Sequence, residues 1–373
     1  MRGDRRNHNS ERDDFGESGR GLSSGLSWDL AAPAGPGDSR PGIQGDILSI
    51  SGQLEPARTA SADSTRNKRP LSALGFSALG AVLLGAAAPA PLEGALAAYR
   101  AGRMEEARAL SEPLANSGDS KAATMLGFMF EQGLGGKKDE ARAVAYYRQA
   151  AEKNDVDALI ALGRLGLDHK GQISPEETQA FLSRAAELGR TDAASLLGRA
   201  LLNARLGKRD TAGAVKWLKR GADGGDADAA YTLGILEIDG DGVPQDLPTG
   251  LRRLKQAADK NHAAAMADYG LMLYQGKTGE APSKGGAANW FAKAAKAGDA
   301  EGQFLYAYAL ATGEGIARDP IQAYVWVLRS NAQGASGAPE YDQDRAKLKG
   351  GLEKILRPDE VAKAAVEAQK PLL

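Results

Sequence analysis

From residue 91 onward, apolar residues return at the three- and four-residue spacing of an amphipathic helix. One such stripe is formed by Ala229, Leu233 and Leu236, and a second follows at Leu251 and Leu254. A glycine-containing turn separates the two stripes. The pattern therefore predicts two antiparallel helices of about a dozen residues each, joined as a hairpin.

The same pattern repeats along the chain at steps of 35 to 37 residues. One series consists of Leu126-Gly127, Leu162-Gly163, Leu197-Gly198, Leu233-Gly234, Tyr269-Gly270 and Tyr306-Ala307. A second series keeps the same phase and consists of Ala150-Ala151, Ala185-Ala186, Gly221-Ala222, Ala257-Ala258, Ala294-Ala295 and Asn331-Ala332. Two series in phase predict six tandem units over residues 118 to 332, an arrangement typical of a helical solenoid.

Small and acidic residues hold fixed places in each unit. Small residues such as Gly234 and Ala257 allow two helix backbones to approach closely. An aspartate opens most units, where it can accept the free N–H groups of a helix start or favour its positive end. These aspartates are Asp119, Asp155, Asp192, Asp226 and Asp299.

These features together resemble the Sel-like repeat (SLR) family, which is related to the tetratricopeptide repeats. The resemblance rests on the pattern G-D-x-x-A-x-x-x-L-G, a G-x-G turn such as Gly133-Leu134-Gly135, a downstream aspartate and a bulky residue before the alanine pair. It predicts an all-α fold, a right-handed α-solenoid of antiparallel helix pairs. The turns of the second, third and fifth repeats depart from the pattern, at residues 168–171, 207–210 and 276–286.

The two ends of the array are predicted to be capped by further helices, since an open end would leave apolar surface in water. Residues 91–117 have the pattern of an N-terminal helical hairpin. Residues 333–373 are predicted to supply C-terminal capping helices, one over 341–356 and one over 358–369.

The N-terminal quarter of the chain has a different character. Residues 1–70 are rich in Gly, Ser, Pro, Asp and Arg and have no sustained period, which indicates a disordered tail or an extension upstream of the true translation start. Residues 71–90 hold an uncharged apolar run that follows basic residues and ends in small ones. This is typical of a signal peptide and predicts a periplasmic or secreted protein. An uncleaved inner-membrane anchor and a buried core helix are the alternatives.

Composition limits the chemistry. The chain has no cysteine, three histidines and a net charge of −1, which excludes thiolate chemistry and gives no electrostatic attraction for nucleic acid. His169 and His262 are expected to be solvated. Residues 276–278 and 239–242 lack the spacing of a phosphate loop and the ligands of a calcium loop. We therefore expect no cofactor, no metal and no enzymatic activity.

A binding surface is the remaining candidate. First helices of stacked hairpins line the concave side, and their exposed positions are expected six and three residues before, and one after, each helix glycine. The predicted partner-binding residues are Phe128, Arg164, Arg199, Tyr231, Ile235, Phe304 and Tyr308. Aromatic anchors and guanidinium donors suit a peptide or protein partner. The alternative is that Phe128, Ile235, Phe304 and Tyr308 fill gaps between repeats.

The functional hypothesis is a non-enzymatic scaffold of the bacterial cell envelope. The SLR resemblance implies an adaptor for a protein partner, in envelope signalling or stress regulation. A cell-wall glycan binder or hydrolase-type envelope enzyme is a second hypothesis, which the absence of cysteine weakens because the relatives concerned resemble cysteine-stapled arrays. A third is an adaptor that residues 71–90 anchor in the inner membrane.

Overall fold

The computed structural model describes residues 91–279, 281–333 and 339–372. Within these ranges the chain forms 16 helices and no strand. The helices are α1 (Pro91–Arg100), α2 (Met104–Asn116), α3 (Ser120–Gln132), α4 (Glu140–Glu152), α5 (Val156–Leu167), α6 (Pro175–Glu187), α7 (Thr191–Leu202), α8 (Thr211–Asp223), α9 (Ala227–Asp239), α10 (Leu247–Asp259), α11 (Ala263–Tyr274), α12 (Lys284–Lys296), α13 (Ala300–Thr312), α14 (Pro320–Ala332), α15 (Pro339–Ile355) and α16 (Pro358–Ala368). The predicted tail 1–70 and the predicted signal segment 71–90 lie outside the described residues.

Helices α3 to α14 form six hairpins, repeats 1 to 6, and each hairpin packs on the next. Successive first helices contact each other, as α3 does α5, α7 does α9 and α11 does α13. Successive second helices do not come into comparable contact in the described chain. The first helices α3, α5, α7, α9, α11 and α13 therefore form the inner face of the curve. The predicted all-α solenoid is confirmed.

The core runs through the array as one continuous apolar cluster. The leucine before each helix glycine in repeats 1 to 4 is buried, namely Leu126, Leu162, Leu197 and Leu233. The small pairs of the second helices, such as Ala185-Ala186, are buried beside them. Burying a leucine side chain stabilises the fold by about 2 kcal/mol. Because these leucines recur about every 36 residues, the stabilising contacts recur with the period of the sequence.

Two glycines allow a close approach of the helix backbones of α9 and α10. A Cβ atom on Gly250 would lie only 2.7 Å from the carbonyl oxygen of Gly234. One on Gly234 would lie 3.0 Å from the carbonyl oxygen of Gly250. The turn between these helices also depends on glycine, because Gly240 and Gly242 have φ angles of 76° and 73°.

Four of the five predicted aspartates cap their helices, and the fifth lies in a first turn, where it favours the positive helix end. Asp119 accepts a hydrogen bond from the amide of Ala122, and the other predicted aspartates of α5, α9 and α13 do the same. Asp192 does not cap α7, since the helix begins after Arg190 and Asp192 lies in its first turn. There the carboxylate binds the Arg190 guanidinium instead.

Additional helices cover both ends of the array. Helices α1 and α2 pack against each other, and α2 packs on α3. At the other end, α15 and α16 both contact α14, with Leu348, Leu352 and Ala364 buried. None of the described helices is long and apolar enough to span a membrane.

Candidate partner-binding face

Four of the seven predicted contact residues have accessible side chains on the inner face. Arg164 on α5 is exposed, and Phe128 on α3, Arg199 on α7 and Tyr231 on α9 are half-buried. These four belong to repeats 1 to 4, so they form one continuous stretch of the inner face.

The other three predicted residues lie inside the array, which corrects their expected exposure. Ile235 is 2% exposed, Phe304 is not exposed and Tyr308 is 4% exposed. The reason is that first helices pack directly against one another here, α7 on α9 and α11 on α13, while α15 also contacts α13. Gap filling between repeats, the alternative interpretation, describes these three side chains.

Ion pairs connect the first three repeats across the inner face. The Lys121 ammonium lies 3.0 Å from the Asp155 carboxylate and 3.5 Å from that of Asp157. The Arg190 guanidinium then contacts Asp157 at 2.6 Å and Asp192 at 2.7 Å. Burial alone would lower the pKa of Lys121, but its contacts with Asp155 and Asp157 outweigh this and raise it. Each repeat is thus bound to the next by opposite charges.

A second set of contacts connects repeats 3, 4 and 5. Arg199 lies 3.2 Å from Asp228, whose carboxylate also lies 3.4 Å from Nε2 of His262. The hydrogen bond with His262 is the main reason that the pKa of Asp228 is lowered. The His262 ring stacks on Tyr231 with 4.4 Å between the ring centroids. Tyr231 therefore has a partner within the protein as well as an accessible edge.

His262 is not solvated, contrary to the expectation from sequence. Its side chain is 17% exposed, and its Nδ1 accepts the amide hydrogen of Ala265 at the start of α11. The histidine thus takes the capping place that aspartate holds in other repeats, and stacking on Tyr231 holds the ring in position.

Replacing His262 by Ala is expected to lower the free energy of unfolding by about 1 to 2 kcal/mol, since it removes a helix cap and a ring contact. Urea unfolding followed by circular dichroism measures the effect. His169→Asn is the control, because His169 is exposed and its φ of 55° suits asparagine. Equal stability of His262→Ala and the wild type would contradict the capping role.

Asp268 on α11 is the most unusual group near this face and was not predicted. Its side chain is buried, and its Oδ2 atom has no hydrogen-bond partner among the described residues. Burial raises the pKa of Asp268 to about 7, although interaction with the Tyr231 hydroxyl opposes the shift. A signal existed in the sequence: the equivalent positions of the other repeats hold Met125, Ala161, Leu196, Thr232 and Leu305.

An open cleft of about 440 Å³ lies away from the inner face, on the second-helix side. It is lined by Glu187, Lys216, Trp217, Lys219, Arg220 and Asp223. Arg220 is already engaged with the Glu187 carbonyl oxygen, and acidic residues neutralise part of the cleft. Among the described residues, no three histidine, aspartate or glutamate side chains converge on a possible metal site.

Comparison with known proteins identifies the repeat. The Sel1 repeat model matches residues 120–155, 191–226, 227–262, 263–299 and 300–334. The stretch 156–190 between the first two matches forms the same hairpin, α5 and α6, but contains the irregular turn at 168–171. The matched units begin at or just before a first helix, as the repeat period predicts.

One solved structure shows the same fold, and a second is also similar. A Sel1 repeat protein from Oxalobacter formigenes superimposes with a TM-score of 0.57 at 20% identity, over 64% of this chain and 96% of that chain. A protective antigen of uropathogenic Escherichia coli with an SLR fold gives a TM-score of 0.47 at 22% identity, over 75% and 67% of the two chains. A search of curated proteins finds no match. Sel1 repeat proteins are generally protein-interaction scaffolds. With five matched repeats and this solenoid, the chain belongs to the Sel1 repeat family.

Proposed function

We propose that this protein is a non-enzymatic scaffold of the bacterial cell envelope that binds a protein or peptide partner on the concave face of its solenoid. One observation carries the proposal. The inner face of repeats 1 to 3 presents an aromatic ring at Phe128, a guanidinium at Arg164 that is unpaired among the described residues, and the guanidinium of Arg199, which is partly exposed although it pairs with Asp228. Aromatic and arginine side chains are the ones that most often dominate the energetics of protein interfaces.

The packing of the array supports this role. A series of ion pairs that begins at Lys121 and ends at Asp192 joins repeats 1 to 3. A further ion pair joins Arg199 to Asp228. Each pair is partly exposed and contributes little stability alone, but together they orient neighbouring first helices. A surface that is already ordered loses little conformational entropy on binding, so more of the contact energy appears as affinity.

Location in the envelope rests on the sequence of residues 71–90. The basic residues before this apolar run and the small residues after it match a cleavable export signal. Cell fractionation followed by N-terminal sequencing tests this. We expect a periplasmic or secreted product that begins near Pro91. A membrane-bound product that retains residues 71–90 would replace this proposal with an anchored adaptor.

Truncating Phe128 and Arg164 together to alanine is expected to reduce recovery of the partner by tenfold or more, because each removes a central contact of about 1 to 2 kcal/mol. The measurement is affinity capture by the full chain from its own cells, quantified for the protein that co-elutes. The melting temperature of the variant is measured beside it.

The matched control is a double variant on the second helices, Lys219→Ala with Arg252→Ala, which removes two exposed cations from the opposite side. Partner recovery by this control should equal that of the wild type. Equal loss in both variants, or no loss in the inner-face variant, would refute concave-face binding. A large fall in melting temperature of the inner-face variant would assign Phe128 to packing.

A further inference from the structure

We propose that Arg164 is the receptor for an acidic side chain of the partner, and that Phe128 receives an apolar residue of the same segment. This inference deepens the proposed function and rests on it. It follows from a comparison of equivalent positions in neighbouring repeats, which shows that Arg164 lacks the contact its counterpart makes.

Arg164 and Arg199 each follow the helix glycine of their repeat. Arg199 in repeat 3 binds Asp228, the residue six positions before the next helix glycine. The corresponding aspartate for Arg164 is Asp192. The structure thus contains the same arginine and the same aspartate at two successive junctions between repeats.

Only one of these junctions forms the pair, because Arg190 takes the Asp192 carboxylate. Nε and Nη2 of Arg190 donate to the two oxygens of Asp192 at 3.0 and 2.7 Å. This two-point contact holds the Asp192 carboxylate against Arg190, and Asp192 makes no ion pair with Arg164. Within the described residues, the Arg164 side chain makes no hydrogen bond or ion pair, and it is exposed on the inner face.

The chemistry of the partner follows from this free guanidinium. A carboxylate is the group that best matches its planar set of donors. Nucleic acid is disfavoured, since the cations of the neighbouring repeats on this face, Lys121, Arg190 and Arg199, are paired with aspartates. A basic segment is disfavoured for the same reason, because these aspartates are occupied.

The position of Phe128 relative to Arg164 sets the spacing between the apolar and the acidic residue of the partner segment. It occupies the position equivalent to Arg164 one repeat earlier, on the adjoining helix α3. Packed helices lie about 10 Å apart, which is close to one three-residue turn of a polyproline II segment at about 3.1 Å per residue, and residues three apart in that conformation lie on the same side. We therefore expect the partner to carry an apolar residue and an Asp or Glu about three positions apart.

Selection from a library of random 12-residue peptides on the immobilised full chain tests the proposal. The peptides are displayed with their C-terminal end fused to the carrier, so that a free terminal carboxylate cannot serve as the ligand. Sequencing before and after selection measures residue enrichment. We expect a several-fold enrichment of Asp and Glu, three positions from an apolar residue.

Three variants test whether the acidic enrichment depends on Arg164. Arg164→Glu should abolish the acidic enrichment, and Arg164→Lys should retain part of it. Arg252→Glu, which makes the same charge change on the second-helix side, should select the same peptides as the wild type.

Acidic enrichment that persists with Arg164→Glu would overturn the inference. Selected peptides without acidic enrichment would also overturn it. If Phe128→Ala abolishes the selection of those peptides, binding on the concave face is still supported. Selection that neither Phe128→Ala nor Arg164→Glu alters, or no selection at all, would refute the proposed function too.

Discussion

Replacing Asp268 by Asn is expected to stabilise the protein at pH 8 by up to about 4 kcal/mol and to leave its stability almost unchanged at pH 4. The wild-type carboxyl is buried, and its Oδ2 atom lacks a hydrogen-bond partner among the described residues. At pH 8 it must carry a charge in this buried site. Asparagine keeps the shape and an acceptor for Tyr231 without the charge.

The direction in which pH changes the stability follows from the two pKa values of Asp268, which are about 7 in the folded protein and 3.8 as the ordinary value. Well below pH 3.8 the group is protonated in both states, and the full stability is present. Between pH 4 and pH 7 the unfolded chain ionises freely but the folded chain resists ionisation, so the free energy of unfolding falls. Above pH 7 both states are ionised and the loss is complete.

Urea unfolding at several pH values measures this effect as the difference between the wild type and Asp268→Asn. The difference removes the contribution of groups that do not interact with Asp268, such as Asp226, whose pKa burial also raises. Asp259→Asn is the control, because its carboxylate is exposed on α10. A difference that does not change with pH would show that Asp268 is not the buried ionising group.

The fold was predictable because its cause is repeated in the sequence. The residue before the helix glycine, such as Leu126 or Leu162, is selected by the same buried environment in repeats 1 to 4. A single occurrence would be weak evidence, but six in phase predict one structure. The aspartate caps were predictable for the same reason, since each serves a helix start of the same geometry.

The candidate site was predictable only in part, because it depends on which neighbour a side chain reaches. Position in the repeat predicted that Arg164 is exposed on a first helix, as it is in the structure, but could not show that Arg190 binds Asp192. Likewise, sequence spacing placed Phe304 on a first helix without showing that its surroundings bury it. Pairing and depth of burial arise from contacts between repeats, which the period alone does not contain.

The contact between α9 and α10 offers the sharpest test of the packing. Gly250 is helical, so alanine there would normally stabilise the helix by about 1 kcal/mol. Its Cβ atom, however, would meet the Gly234 carbonyl oxygen at 2.7 Å and the Ile238 amide nitrogen at 3.0 Å. Both are backbone atoms and cannot move without separating the two helices. Gly350 on α15 is the matched control, since nothing lies within 4 Å of the Cβ position there.

Gly250→Ala is therefore expected to lower the free energy of unfolding by about 1 to 3 kcal/mol through overpacking, in spite of the better helix propensity. Gly350→Ala should raise it by up to about 1 kcal/mol, because it gains propensity without a clash. Urea unfolding of both variants beside the wild type gives the two differences. Opposite signs are the signature of a backbone contact at Gly250. If both substitutions stabilise, helices α9 and α10 do not approach as closely as described, and the repeat tolerates a wider separation of its two helices.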